Sequence, residues 1–330
     1  MSDFKVVVTD HIIRPNGLDL LREHGGEVEV LQANSPVDLL VAAVRDADAM
    51  MARSVEVTRE LVEQAPKLKI VSRHGVGFEN VDLEACTQLG IAVSISSDAN
   101  SQSVAEFAFS LMLASAKNVV RIGRSVRANV WQRDNSSAVE LHGKTLGIIG
   151  LGRIGSRLAK LTQGFEIEVI VYDPYATVEA IETCGARRAE LNDLLKTADF
   201  VSLHVPMTEE TRHIIGPDEL ERMKASAILV NTARGGLVDE VALHDALSKG
   251  RIAAAALDVF EEEPLPDDHP LTKLDNMICT AHVAGQTQES LVRTSTVAAE
   301  NILAVLRGEV PDVLVNPDVL ANRSRVDWKS

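Results

Sequence analysis

Three polar side chains in the last third of the sequence have the types needed for acid–base chemistry on a carboxylic acid. Arg234, in Asn-Thr-Ala-Arg-Gly-Gly, carries a planar guanidinium that can bind a carboxylate through two hydrogen bonds. His282, in Thr-Ala-His-Val-Ala-Gly, can exchange a proton near neutral pH. Glu263 supplies a carboxylate that can fix the tautomer of the histidine and favour its imidazolium form. The set predicts proton transfer beside a bound carboxylate.

Each of these residues alone also fits an ordinary structural role. Arg234 fits a surface ion pair, Glu263 a solvated acidic run, and His282 a strand-end histidine bonded to backbone. The three follow successive predicted strands, however, and the carboxyl ends of parallel strands meet at one edge of a sheet. This joint placement favours catalysis. The remaining histidines lack ligand spacing, so we expect no metal site.

A glycine motif at residues 150–155 predicts a dinucleotide site. It follows an apolar strand and begins a helix, so that Gly150 can turn tightly, Gly152 can let a pyrophosphate approach, and Gly155 can pack against the strand. Asp173 ends the next strand, where its carboxylate can bind the ribose diol and repel a 2′-phosphate. We therefore expect NAD rather than NADP, a preference that Arg153 can soften. The predicted contacts of this segment are Gly150, Gly152, Arg153, Ile154, Gly155 and Asp173.

The sequence contains two series of short apolar segments, which predict two parallel α/β sheets. These sheets must position the catalytic and cofactor-binding residues named above. A helix from 101 to about 130 separates the series, and a helix over 286–306 returns the chain to the first domain. The predicted strands are residues 5–9, 27–31, 49–52, 69–72 and 92–94, then 145–149, 169–172, 200–203, 227–231, 253–257 and 277–280.

Composition narrows the class of protein. A length of 330 residues predicts two domains, and a net charge of −15 disfavours nucleic acid and anionic membranes as partners. The three cysteines are far apart, which predicts neither a disulfide framework nor a thiolate metal site. The N-terminus shows no signal-peptide pattern, and no run has the length of a membrane span, so we expect a cytoplasmic protein.

The motifs together resemble the D-isomer-specific 2-hydroxyacid dehydrogenase family, in particular its short phosphoglycerate dehydrogenases. The resemblance covers nearly the whole chain and is carried by residues 72–82, 103–106, 150–155, 231–236, 258–260, 263–264 and His282. It implies hydride transfer between NAD and a small D-2-hydroxy acid, with Arg234 binding the carboxylate, His282 as acid/base and Glu263 as its partner. Glu79 departs from the aspartate that the family usually has at that position.

The resemblance also implies an architecture and further contacts. The fold would consist of two Rossmann-like or flavodoxin-like domains with the active-site cleft between them. Residues 1–100 and 287–330 would form the substrate domain, and residues 101–286 an NAD domain that also forms a homodimer. The NAD contacts implied are His204, Val205, Pro206, Thr211, Thr232, Ala233 and Asp258, and the loop Gly75-Val76-Gly77 would hold the substrate carboxylate.

The distal group of the acid is the open question at this stage. Arg53 with its neighbour Ser54, Arg73 and Arg133 are candidates to bind a phosphate, which favours 3-phosphoglycerate and a role in serine biosynthesis. The same arginines also fit ordinary surface positions or smaller acids such as glyoxylate and hydroxypyruvate, and a sulfonated hydroxy acid fits similar charges. An NAD-sensing corepressor-like binding protein is the alternative outside the enzymes.

Overall fold

The computed structural model describes residues 3–33, 35–131, 133 and 137–329, and the chain divides into two compact units. Unit 1 consists of residues 1–100 and 286–330, and unit 2 of residues 101–285. Each unit is built on one parallel sheet, which confirms the predicted α/β class with two parallel-sheet domains.

Unit 1 contains a five-stranded sheet in the order β2-β1-β3-β4-β5. The strands other than β2 are largely apolar and mostly buried because helices cover the sheet, whereas the edge strand β2 alternates glutamate with valine and has no buried residue. The elements are β1 (Phe4–Val8), α1 (Pro15–Glu23), β2 (Gly26–Val30), α2 (Val37–Val44), β3 (Ala49–Ala52), α3 (Arg59–Glu63), β4 (Ile70–Arg73), α4 (Leu83–Gln88) and β5 (Ala92–Ile95).

Unit 2 contains a seven-stranded sheet in the order β12-β11-β10-β9-β6-β7-β8. Ile148 and Ile149 belong to different apolar clusters, as expected for adjacent residues of a strand with a core on each face of its sheet. The elements are α5 (Ser101–Ala116), α6 (Val119–Arg127), β6 (Thr145–Ile149), α7 (Arg153–Thr162), β7 (Glu168–Tyr172), α8 (Val178–Thr183), β8 (Ala186–Arg188), α9 (Leu191–Thr197), β9 (Phe200–Leu203), α10 (Pro217–Arg222), β10 (Ile228–Asn231), α11 (Glu240–Ser248), β11 (Ala254–Leu257) and β12 (Met277–Cys279).

The last long helix returns the chain to unit 1. Helix α12 (Gln288–Leu306) packs against α1 and against strand β4. The approach to α1 is close, because a Cβ added at Gly17 would lie 2.2 Å from the carbonyl oxygen of Ser295. The side chain of Ser295 also accepts a hydrogen bond from Arg14 N at 2.8 Å. The returning helix is thus part of the core of unit 1.

One sequence prediction about unit 2 is wrong, and one strand was missed. The helix predicted from 101 to about 130 is broken into α5 and α6, which are bent by 63°, because Asn118 adopts a left-handed conformation with φ 53°. The edge strand β8 was not predicted, since only the first of its three residues is buried and three residues carry no periodicity.

No single helix in the described ranges is long and apolar enough to cross a membrane. The bent pair of α5 and α6 has the length and apolarity for a broken span when the two are taken together.

Candidate active site

The glycine loop lies where the strand order of unit 2 reverses. Strand β6 has β7 on one side and β9 on the other, and the loops that follow β6 and β9 therefore diverge at this edge of the sheet. A Cβ added at Gly150, whose φ is 95°, would lie 2.8 Å from the carbonyl carbon of His204. A Cβ at Gly155 would lie 2.2 Å from Gly150 O, whereas one at Gly152 would meet nothing within 4 Å. Gly152 therefore borders open space, as an approaching pyrophosphate requires.

The first residues of helix α7 are the other two cofactor contacts predicted for this segment. Arg153 and Ile154 are its first two residues, and no acidic residue lies in its first turn. The unpaired backbone N–H groups of a helix start favour an anion. The structure thus places both predicted contacts at the N-terminus of this helix.

Asp173 follows strand β7 and is hydrogen-bonded to the glycine loop. Its Oδ2 accepts from Leu151 N at 2.8 Å, and its Oδ1 accepts from Tyr175 N at 2.8 Å and from Ala176 N at 3.0 Å. A carboxylate has about four lone-pair directions, so capacity for a further donor such as a ribose hydroxyl remains. Asp173 therefore positions the loop as well as offering a charge beside it.

Two polar atoms at the predicted NAD contacts are buried without a hydrogen-bond partner among the described residues, His204 Nδ1 and Thr232 Oγ1. Buried polar atoms in folded proteins are rarely left unpaired, so both fit contacts to a polar ligand. Burial lowers the pKa of His204 to about 4, and its Nε2 lies 2.9 Å from Ser202 Oγ. The imidazole is therefore neutral near pH 7.

The other predicted NAD contacts lie on the loops after β9 and β10. Val205 and Pro206 continue directly from β9, and Thr211 Oγ1 donates to Pro206 O at 2.8 Å, which closes that loop. Ala233 N donates to Asn231 Oδ1 at 2.9 Å at the end of β10. These contacts fix the loops after β9 and β10, which lie at the same edge of the sheet as the glycine loop.

His282 and Glu263 form a hydrogen-bonded pair. His282 Nδ1 lies 2.7 Å from Glu263 Oε2, and Glu263 Oε1 accepts from Phe260 N at 2.9 Å. Burial by itself would raise the pKa of Glu263, but the hydrogen bonds from His282 and Phe260 outweigh it and the pKa lies below its usual value. The carboxylate is thus ionised at neutral pH and can accept a hydrogen bond from Nδ1–H, which assigns proton exchange to Nε2.

Arg234 lies at the same sheet edge, in the loop after β10. Its Nη1 donates to Ala233 O at 2.7 Å, and Asn231 Nδ2 donates to Arg234 O at 2.7 Å. The next residue has to be glycine, because a Cβ at Gly235 would lie 1.9 Å from the carbonyl carbon of Phe260. The arginine loop and the loop that carries Glu263 are therefore in direct backbone contact.

Asp258 is fully buried and holds the turn that carries His282. Its Oδ1 accepts from Thr280 Oγ1 at 2.6 Å and Val283 N at 3.0 Å, and its Oδ2 accepts from Ala284 N at 2.8 Å. His282 itself adopts a left-handed conformation with φ 50°. Asp258, which the resemblance implied as an NAD contact, thus also positions the predicted acid/base.

In unit 1, the predicted anion-binding residues lie at the carboxyl ends of β3 and β4. Arg53 Nη1 lies 2.7 Å from Asp10 Oδ2, at the point where the strand order of this sheet reverses between β1 and β3. Burial would raise the pKa of Asp10, but hydrogen bonds from Ile12 N and from Arg53 lower it. Ser54, next to Arg53, is exposed.

Arg73 is bound to backbone carbonyls. Its Nε donates to Gly77 O at 2.7 Å, and its Nη1 donates to Ala52 O at 3.1 Å and to Arg53 O. The guanidinium therefore positions the loop Gly75-Val76-Gly77, in which Gly75 has a φ of 148°. Arg133, in unit 2, is exposed.

Sequence reasoning missed several residues that support the site. Asp10, Glu240 and His269 carry no motif, and their roles depend on contacts between residues far apart in the chain. Glu240 lies only four residues after the arginine motif 231–236, but this proximity gave no signal of its contacts. Within the described residues, no group of three or more His, Cys, Asp or Glu side chains is arranged to hold a metal ion.

Comparison with known proteins decides the family. Residues 109–284 match the model of the D-isomer specific 2-hydroxyacid dehydrogenase, NAD binding domain. The chain belongs to the D-isomer-specific 2-hydroxyacid dehydrogenase family. The predicted resemblance is confirmed, and NAD is confirmed as the cofactor of the matched domain.

Three relatives illustrate the range of the family. The chain is 47% identical over 314 residues to D-3-phosphoglycerate dehydrogenase of Methanocaldococcus jannaschii, covering 94% of this chain but 59% of that protein. It is 43% identical over 329 residues to glyoxylate reductase of Aeropyrum pernix, covering 97% of this chain and 98% of that one. The crystal structure of the TT0316 protein from Thermus thermophilus matches with a TM-score of 0.86 and 36% identity, covering 94% of this chain and 99% of that chain.

Proposed function

We propose that this protein catalyses reversible hydride transfer between NAD and the C2 carbon of a small D-2-hydroxy acid or its 2-oxo acid. The observation that carries the proposal is the 2.7 Å hydrogen bond between His282 Nδ1 and Glu263 Oε2, at the sheet edge that also carries Arg234. Bound NADH supplies the hydride for the reductive direction.

The side chains of unit 2 have complementary roles in this reaction. Arg234 binds the carboxylate of the acid and polarises the adjacent carbonyl. His282 Nε2 gives a proton to the oxygen on C2 as negative charge develops there, and takes it back in the oxidative direction. Glu263 holds the proton on Nδ1 and favours the protonated ring that reduction requires. His282 acts in proton transfer, and Arg234 acts in both binding and polarisation.

We propose 3-phosphoglycerate as the physiological hydroxy acid. Arg53 offers a guanidinium at the strand-order reversal of unit 1, and the 47% identical relative is a phosphoglycerate dehydrogenase. Glyoxylate is the second candidate, because Arg73 is bound to backbone carbonyls and the glyoxylate reductase of Aeropyrum pernix matches over 98% of its own length. A glyoxylate substrate needs no cation for a distal group.

A substrate panel tests this proposal. NADH oxidation is measured with glyoxylate, hydroxypyruvate, 3-phosphohydroxypyruvate and a sulfonated 2-oxo acid, and NAD reduction with 3-phosphoglycerate and hydroxy acids of both hands. We expect turnover with at least one 2-oxo acid and only with the D hydroxy acid. Absence of turnover with every acid, with NADH binding retained, would instead support a nucleotide-sensing binding protein.

Two substitutions separate the proposed roles. His282→Ala should lower kcat by about a hundredfold or more while the KM of the acid changes little, because general acid–base catalysis contributes about 10²–10⁴. Arg234→Ala should lower kcat and raise the KM together. A kcat of His282→Ala within about twofold of the wild-type value would remove this histidine from the mechanism.

We propose that the protein is a homodimer through helix α6 of unit 2. This helix has no buried residue, and its exposed apolar side chains continue beyond it to Trp131, which is 78% exposed. An exposed apolar patch of this kind is typical of an interface between protein chains. Ile122→Glu should convert a dimer to a monomer in sedimentation experiments, and a wild-type monomer at micromolar concentration would exclude this role.

A further inference from the structure

The backbone of residues 260–263 connects the two catalytic loops of unit 2. At one end, Gly235 packs so closely on Phe260 that an added Cβ would lie 2.0 Å from its carbonyl oxygen. At the other end, Phe260 N donates to Glu263, which is bonded to His282. A shift of segment 260–263 would therefore change the positions of Arg234 and of the Glu263–His282 pair together.

A buried carboxylate accepts a backbone hydrogen bond from segment 260–263. Glu240 is the first residue of helix α11 and is 8% exposed. Its Oε1 accepts from Glu261 N at 2.7 Å, and its Oε2 lies 3.1 Å from Nε2 of His269. A carboxylate at a helix start is favoured by the helix dipole, and a buried one is stable only when its oxygens are hydrogen-bonded.

His269 completes the support. Its other ring nitrogen, Nδ1, is buried and has no hydrogen-bond partner among the residues that the structure describes. A proton on Nδ1 would be buried without an acceptor, so the network assigns the proton to Nε2, where it is donated to Glu240. The ring also packs edge-on against Phe260, with centroids 6.4 Å apart and an interplanar angle of 63°. His269 therefore contacts both Glu240 and the segment that Glu240 holds.

We propose that Glu240 and His269 form a buried positioning pair that fixes segment 260–263 and thereby the geometry between Arg234, Glu263 and His282. The inference rests on the proposed function of those three residues. Neither member of the pair is assigned a contact with substrate or cofactor, so both act through the backbone of Phe260 and Glu261. Burial raises the pKa of the Cys279 thiol to about 11, and the negative charge of Glu240 adds to this rise.

The experiment compares three variants with the wild-type protein. Glu240→Ala removes the acceptor of Glu261 N, and Glu240→Gln keeps an oxygen there. Asp239→Ala is the matched control, because the side chain of Asp239 caps the same helix through a 2.9 Å bond from Ala242 N, whereas that of Glu240 accepts from segment 260–263. Measured quantities are Tm, the Kd of NADH, kcat and KM for the fastest acid of the panel, and the imidazole N–H resonance of His282, assigned by its loss in His282→Ala.

We expect Glu240→Ala to lower kcat by about tenfold, with the Kd of NADH within about twofold of wild type and the His282 resonance shifted or broadened. Glu240→Gln should lower kcat less than Glu240→Ala does, because its amide oxygen still accepts from Glu261 N although its amide nitrogen then faces the Nε2–H donor of His269. Asp239→Ala should lower Tm through the lost cap and leave kcat and the resonance unchanged. If Glu240→Ala does not fold, His269→Ala replaces it, with an expected loss in kcat of about threefold.

Two results would overturn the proposal: a wild-type kcat and resonance in Glu240→Ala, or an equal loss of kcat in Asp239→Ala. The first shows that segment 260–263 is held without Glu240. The second shows an effect of stability alone. If the wild-type protein turns over no acid, the proposed function fails, while the His282 resonance still tests the positioning role.

Discussion

The glycine loop offers the sharpest test of the NAD site, through Gly152→Ala. Gly152 has φ −74° and ψ −161°, an extended conformation that alanine adopts, and a Cβ there meets no atom within 4 Å. Replacement of glycine by alanine at such a position stabilises a protein by about 0.4–1 kcal/mol, because the unfolded chain loses freedom. The variant should therefore be as stable as the wild-type protein without cofactor, or slightly more stable.

The same methyl group should weaken cofactor binding. It would fill the open space at the start of helix α7 and keep the pyrophosphate from the backbone N–H groups. A hydrogen bond to a charged group contributes about 1.5–3 kcal/mol, and the loss of one corresponds to an increase in the Kd of NADH by about ten- to 150-fold. Stability and affinity are thus predicted to change in opposite directions.

Urea unfolding without cofactor and a fluorescence titration with NADH measure the two quantities. Gly164→Ala is the matched control, since a Cβ there also meets nothing within 4 Å, and it should leave the Kd of NADH unchanged. Gly155→Ala should lose about 1–3 kcal/mol of unfolding free energy, because its Cβ would lie 2.2 Å from Gly150 O. An unchanged Kd of NADH in Gly152→Ala would exclude a pyrophosphate contact at this position, and a stability loss as large as that of Gly155→Ala would show that the space at Gly152 is not open.

Further substitutions test other contacts. Asp173→Ala should raise the NADPH-to-NADH ratio of kcat/KM by about tenfold and also lower stability, because three backbone N–H groups lose their acceptor; an unchanged ratio would count against the ribose contact. The stability gap between wild type and Asp10→Asn should be full above pH 3.8 and shrink at lower pH, since the lowered pKa of Asp10 means that ionisation is favoured in the folded state. A gap that widens on acidification in urea titrations would contradict that sign. Gly235→Ala should lose about 1–3 kcal/mol of unfolding free energy and much of kcat, because its Cβ would lie 1.9 Å from the carbonyl carbon of Phe260; wild-type values for both would exclude the close contact.

The parts of the fold that the sequence predicts are those with a repeated local signal. Apolar runs such as residues 145–149 match strand β6 residue for residue, because a strand buried on both faces must be apolar throughout. Strand β8 and the break between α5 and α6 were missed for local reasons. Only one of the three residues of β8 is buried, so the strand gives no apolar run. The break between α5 and α6 depends on Asn118 alone, whose left-handed conformation leaves no mark on the apolar spacing of the sequence.

The site shows the same division between local and distant signals. Arg234, Glu263 and His282 lie in segments that follow strands, and the structure brings Glu263 and His282 into contact as expected. Arg73 was predicted to bind an anion, but whether its guanidinium faces ligand or backbone depends on the carbonyls of other segments. The charge of an arginine and its position in the sequence do not show whether it binds a ligand or backbone carbonyls.

The turn that carries His282 should be among the slowest parts of unit 2 to exchange its amide hydrogens. Three successive amides, those of residues 282, 283 and 284, all donate to Asp258, the first to its carbonyl oxygen at 2.8 Å and the others to its carboxylate at 3.0 and 2.8 Å. Because Asp258 is fully buried at the end of strand β11, these amides can exchange only when the sheet edge itself opens. The exposed imidazole of His282 is thus attached to backbone with the protection of a core strand, so its hydrogen bond to Glu263 can open and close without movement of the turn.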